Sequence, residues 1–75
     1  MINNMLNRKI FADRLKKLLK ESNTSQQELA NVLNVKRPTV TQYCSESKQP
    51  SIDHFILIAD YFDVTMDYLA GRDKP

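Results

Sequence analysis

Three polar side chains, Arg37, Thr41 and Gln42, share the exposed face of a short segment whose Val40 and Tyr43 point the other way. Guanidinium, hydroxyl and carboxamide groups at that spacing can donate to and accept from the edges of nucleic-acid bases. The segment is the second half of QQELANVLNVKRPTVTQYCS, residues 26 to 45, which reads as two short helices pinned at a tight turn. Ser25 with Glu28 forms a Ser-x-x-Glu capping box at the start of the first helix. Leu29, Val32 and Leu33 give that helix one apolar face, and the small Ala30 lets a second helix cross closely. Asn34 tolerates the left-handed conformation that ends a helix, and Val35 plugs the turn. The next helix begins near Lys36 with Pro38 in its first turn, where a missing amide hydrogen costs little. This is the layout of a helix-turn-helix, and the same spacing also fits an ordinary corner of a small all-helical protein.

Other reactive groups are few. The chain holds one histidine, one cysteine and one glycine. A nucleophile paired with a base, a glycine-rich phosphate loop and a histidine or cysteine metal site therefore lack their parts, so neither catalysis, a metal nor a cofactor is expected. Cys44 reads as a small buried residue, and His54, in the first turn of a later helix, is expected to face solvent. Asp60, Asp63 and Asp67 are spread over a helix, a turn and another helix, which reads as a solvated acidic face.

The elements that must hold these groups follow from apolar periodicity. Ile10, Phe11, Leu15, Leu18 and Leu19 recur at three-to-four spacing and predict a helix from about Asn7 to Glu21, closed by Asn23. After the polar connection 45–50, Ser51 caps a fourth helix whose buried stripe is read as Ile52, Phe55, Ile56, Ala59 and Phe62. Asp63 and Val64 form a turn, Thr65 caps a last helix through Leu69, and Gly71 stops it. With a single glycine available, the turns must use Asn23, Asn34 and Asp63 instead. No segment alternates with period two, so no sheet is expected.

The 75 residues, 41% hydrophobic and 27% charged, suit one folded domain with a small core. No apolar run approaches the ~20 residues of a membrane span, and Met1 to Ile10 is too polar for a signal peptide, which points to a cytoplasmic protein without membrane association. The net charge is +2 but polarised. Residues 1–20 carry six basic groups and one acidic, residues 21–50 three of each, and residues 51–75 two basic and five acidic. A basic first helix beside an acidic end suits a molecule that turns one side toward phosphate. Arg14, Lys16, Lys17 and Lys20 equally suit a merely solvated helix face.

These segments together resemble the Cro and repressor type, also called the Xre type, of helix-turn-helix domains. The resemblance runs from about Phe11 to Gly71 and rests on RLKKLLKES, SQQELANVLNV, the spacing from Tyr43 to Pro50, and IADYFDVTMDYLAG. It implies an all-α, five-helix, lambda-repressor-like DNA-binding domain over residues 10–71, with an N-terminal extension at 1–9 and a frayed tail at 72–75. It also implies roles for particular residues. Gln26, at the start of the second helix, matches a phosphate-binding position. Lys36, Arg37 and Pro38 match the start of a recognition helix that enters the major groove. Arg37 would grip guanine through O6 and N7, Gln42 would pair with adenine, and Pro38 would offer apolar contact to a thymine methyl. Thr39 and Thr41 match contacts to phosphate or base edges, and Lys48 lies in a loop that passes a phosphate.

Three positions depart from the pattern. Relatives often carry an arginine at the position of Leu19 and a glutamate at that of Cys44, and here an apolar pair replaces both charges. Glu46 stands where relatives usually carry glycine beside the DNA. Its carboxylate would repel phosphate, and a left-handed backbone there would be strained.

The expectation is thus a sequence-specific regulator that binds double-stranded DNA as a homodimer, a repressor reading a palindromic operator, controlled by concentration, proteolysis or an antagonist protein. Leu57 and Tyr61, four apart on the outer side of the fourth helix, either complete the core or form a dimer interface with Tyr68. Ile2, Met5 and Leu6, ahead of the first helix, either cover the same patch or stay mobile. The competing expectation is a protein-interaction module or antitoxin whose main partner is a protein, such as a toxin.

Overall fold

The computed structural model describes residues 7–73, which form five helices and, within that span, no strand: α1 (Arg8–Glu21), α2 (Gln26–Leu33), α3 (Arg37–Cys44), α4 (Ile52–Phe62) and α5 (Met66–Ala70). Ile2, Met5 and Leu6 lie outside the described residues.

Side-chain caps set four of the five helix starts. Asn7 accepts from the Ile10 amide at α1, Ser25 from Glu28 at α2, Ser51 from His54 at α4 and Thr65 from Tyr68 at α5. At α2 the box is reciprocal, with the Ser25 amide donating to Glu28 Oε1 at 2.7 Å. Lys36 begins α3 without a side-chain cap, and Pro38 occupies its first turn. The ends use the left-handed conformation at Asn34 (φ 59°), Asp63 (φ 56°) and Gly71 (φ 76°), with Asn23 (φ 56°) one residue past Ser22 at the end of α1. Asparagine and aspartate thus fill the place of glycine in three turns, as their local hydrogen-bonding allows. Gly71 has a second constraint, since a Cβ there would come within 2.9 Å of the Ile10 side chain.

One core joins all five helices: Phe11, Leu15 and Leu19 of α1, Leu29, Ala30 and Leu33 of α2, Val40, Tyr43 and Cys44 of α3, Ile58 and Ala59 of α4, and Leu69 of α5. Two expected faces are corrected. Val32 is 38% exposed, because α2 turns Leu29, Ala30 and Leu33 inward and leaves Val32 at the rim. In α4 the inward stripe is Phe55, Ile58, Ala59 and Phe62, whereas Ile52 is 67% exposed and Ile56 39%. Phe55 sets that register by packing on the Phe11 ring, with centroids 5.9 Å apart.

The expected frayed tail is also corrected for its first two residues. The Arg72 amide donates to the Asp67 carbonyl at 2.8 Å, and Asp73 pairs with Arg14 at 2.6 Å. Arg14 further donates to the Tyr68 carbonyl and lies over the Tyr68 ring, 4.4 Å from its centroid. This arginine closes the base of the domain by joining α1 to α5, and is not part of a solvated basic face.

Candidate nucleic-acid interface

The turn between α2 and α3 brings two kinds of donor to one surface. The first is the open amide end of α2. The capping box satisfies Glu28, while the backbone N–H groups of Gln26 and Gln27 find no acceptor among the described residues. Outward-pointing amides at a helix start favour an anion, helped by the helix dipole. The Gln27 side chain is directed along the helix, donating to Asn31 at 3.0 Å, so only Gln26 has its carboxamide near α3.

The second is the outer face of α3. With Val40, Tyr43 and Cys44 buried, Arg37, Pro38, Thr41 and Gln42 are exposed together, Lys36 is exposed at the cap and Thr39 is half-buried. The helix period therefore places guanidinium, pyrrolidine, hydroxyl and carboxamide on one polar strip. The two donor sets are joined directly, since Thr41 Oγ1 donates to Gln26 Oε1 at 2.6 Å.

Behind α3 the chain is wound tightly onto the helix end. The Ser45 and Ser47 hydroxyls both reach the Gln42 carbonyl and lie 2.9 Å from each other, and the Ser47 amide donates to the same carbonyl at 3.1 Å. Glu46 sits between them at φ 67°, exposed, so the left-handed conformation is kept without glycine. Lys48 is exposed in the same connection and forms no ion pair among the described residues.

Leu19 and Cys44 are 7% and 6% exposed within the same core cluster. Burial pushes the Cys44 thiol above its usual range, with a smaller opposing pull from Lys16. His54 differs from expectation: half-buried rather than facing solvent, its Nδ1 lies 2.8 Å from the Tyr43 hydroxyl. Burial likewise raises the Tyr43 phenol, opposed by a backbone hydrogen bond at Ser51. Among the described residues no group of three histidine, cysteine or acidic side chains is placed to hold a metal ion.

Periodicity alone did not connect two lysines to this surface. Lys16 and Lys20, four residues apart on α1, rim a cleft that also includes Asn23, Gln26 and Glu28. Their spacing marks a common face, but only the α1–α2 turn brings that face to Gln26. On the opposite flank Leu57 is 42% and Tyr61 46% exposed, so neither completes the core, while Tyr68 is half-buried under Arg14.

The five-helix arrangement and this two-part surface define the lambda-repressor-like helix-turn-helix class. The helix-turn-helix family matches residues 15–69, and the chain belongs to it. It is 40% identical over 62 residues to the HTH-type transcriptional regulator AnsR of Bacillus subtilis, an alignment spanning 83% of this chain and 53% of AnsR. A crystal structure of a transcriptional regulator from Listeria innocua superposes with a TM-score of 0.81 at 35% identity, covering 87% of this chain and 61% of that one. The P22 c2 repressor, crystallised with a synthetic operator, shares the fold with a TM-score of 0.79 at 17% identity, over 85% of this chain and 97% of its own. The chain spans about half the length of curated relatives such as AnsR and the Bacillus subtilis regulator ImmR, of which the matched regions are 53% and 48%.

Proposed function

We propose that this chain is the DNA-reading domain of a transcriptional regulator that binds double-stranded DNA in the major groove through α3. The observation that carries the reading is the adjacency of base-reading and phosphate-gripping groups. Arg37 and Gln42 project from α3 beside the open amide end of α2, and the Thr41–Gln26 hydrogen bond fixes the two helices in that relation. Lys36, Pro38 and Thr39 extend the α3 contact, and Lys48 reaches phosphate from the connection behind it. The resemblance to AnsR supports a regulatory role.

The protein acts as a homodimer and represses by occupying a promoter. Exposed Leu57 and Tyr61 on α4 support an apolar contact between copies, with Tyr68 at its margin. A two-fold pair of recognition helices one DNA turn apart, about 34 Å, reads a palindrome. Such a protein works where its DNA is, in the cytoplasm of a bacterial cell.

Salt titration of duplex binding tests this function. Each phosphate neutralised contributes about −0.9 to the slope of log affinity against log salt, so affinity falls steeply as salt rises. A salt-insensitive interaction would instead support the second reading, a module whose partner is another protein such as a toxin or antagonist. That alternative draws on the exposed apolar side chains of α4 and on the acidic Glu46 behind α3.

A further inference from the structure

We propose that Thr41 is a positioning residue, which aims the Gln26 carboxamide at a DNA phosphate rather than reading a base itself. The inference rests on the DNA-binding function proposed above and changes what α3 contributes to it. A threonine hydroxyl carries one proton, and here that proton is committed to Gln26 Oε1 across 2.6 Å. Thr41 therefore has no donor left for a base edge.

The consequence for Gln26 follows from the asymmetry of its amide. A glutamine side chain ends in one acceptor oxygen and one NH2 group with two donors. An unrestrained carboxamide presents either end to an approaching phosphate, and its oxygen would repel the anion. With Oε1 held by Thr41, the NH2 group is left as the free end, next to the unpaired backbone amides of Gln26 and Gln27. All the donors then have the sign a phosphate requires.

The tether also acts before binding. Glutamine has high rotamer freedom, which an isolated side chain would lose on meeting DNA. Here Gln26 is half-buried and joined to α3 from a position 15 residues away in sequence. The freedom is given up on folding, and a β-branched threonine with its restricted χ1 holds the hydroxyl more firmly than serine would. Base discrimination on this stretch of α3 is then left to Arg37 and Gln42.

The test is a double-mutant cycle on duplex affinity, combined with the base preference of each variant. Thr41 is exposed, so its substitution leaves the core intact, and a thermal melt of each variant verifies folding. Thr41→Val removes the donor at constant shape and is expected to weaken every duplex by about tenfold, the effect of ~1.4 kcal/mol, without altering base preference. Gln26→Ala gives a similar uniform loss, the double variant is no weaker than Gln26→Ala alone, and Thr41→Ser restores most of the affinity. A methylphosphonate at the contacted phosphate penalises the unaltered protein more than Thr41→Val, which keeps only the backbone amides of Gln26 and Gln27 for that contact. Additive losses, or a changed preference at one base pair in Thr41→Val, would overturn the positioning role while leaving DNA binding intact. An unaltered protein that binds no duplex overturns the DNA reading itself, and the phosphate role with it.

Discussion

The Tyr43 hydroxyl on the inner side of α3 lies 2.8 Å from Nδ1 of His54 in the first turn of α4. The rings meet edge to face, with centroids 6.1 Å apart and planes at 66°. The pair fixes the back of α3 to the helix that bears Leu57 and Tyr61, so the two proposed contact surfaces share a polar clamp. With the Thr41–Gln26 bond, it is one of two side-chain hydrogen bonds that tie α3 to another helix among the described residues.

Tyr43→Phe keeps the packed ring and removes the hydroxyl. The expected loss is about 1 kcal/mol, the usual net worth of one hydrogen bond, measured as a lower urea midpoint with unchanged slope. In a His54→Ala background the same substitution costs less, because the imidazole is already absent and only the backbone at Ser51 remains to the hydroxyl.

Glu46→Gly moves stability and affinity in the same direction. A left-handed conformation costs a residue with a Cβ roughly 1–2 kcal/mol that glycine avoids, and Glu46 adopts φ 67°. Glycine's extra freedom in the unfolded chain offsets part of this gain, leaving a stabilisation of up to about 1 kcal/mol. Removing a carboxylate near the proposed phosphate path should also tighten duplex binding at low salt. Urea unfolding and a duplex titration measure the two effects separately.

Acid should release the clasp between α1 and the chain end. The hydrogen bond and charge of Arg14 hold the Asp73 carboxyl below its usual range. A depressed carboxylate stabilises the fold above its unfolded pKa and stops doing so as pH falls through the folded value. Asp73→Asn should therefore lower the unfolding midpoint at neutral pH, with the difference from the unaltered protein shrinking as acid protonates the carboxylate and vanishing once pH has fallen through its depressed folded value. Because Asp73 is exposed, the difference will be modest and reduced by salt.

What could be read from sequence was local. Ser25 with Glu28, Pro38, Asn34, Asp63, Thr65 and Gly71 each specify a cap or turn through their own backbone preferences, and each does so in the fold. The face of α4 was not legible, because IDHFILIADYF is apolar on nearly every side and periodicity cannot choose between Ile56 and Ile58. Phe11 makes that choice from 44 residues away by packing on Phe55. The same limit hid the contacts of Arg14, His54 and Asp73, which look solvated in sequence but meet groups of other elements. Arg37 and Gln42 were legible as exposed residues of α3, whereas the use of Thr41 for Gln26 required the helix crossing itself.

Selection of binding sites from a random duplex library, repeated with Arg37→Ala and Gln42→Ala, shows whether α3 reads DNA sequence. The unaltered protein is expected to enrich a palindrome, with the two substitutions relaxing preference at different positions of each half-site, each by about 1–3 kcal/mol of discrimination. Recovery of no enriched sequence at low salt would rule out sequence reading by α3, as would two variants that select the same site as the unaltered chain.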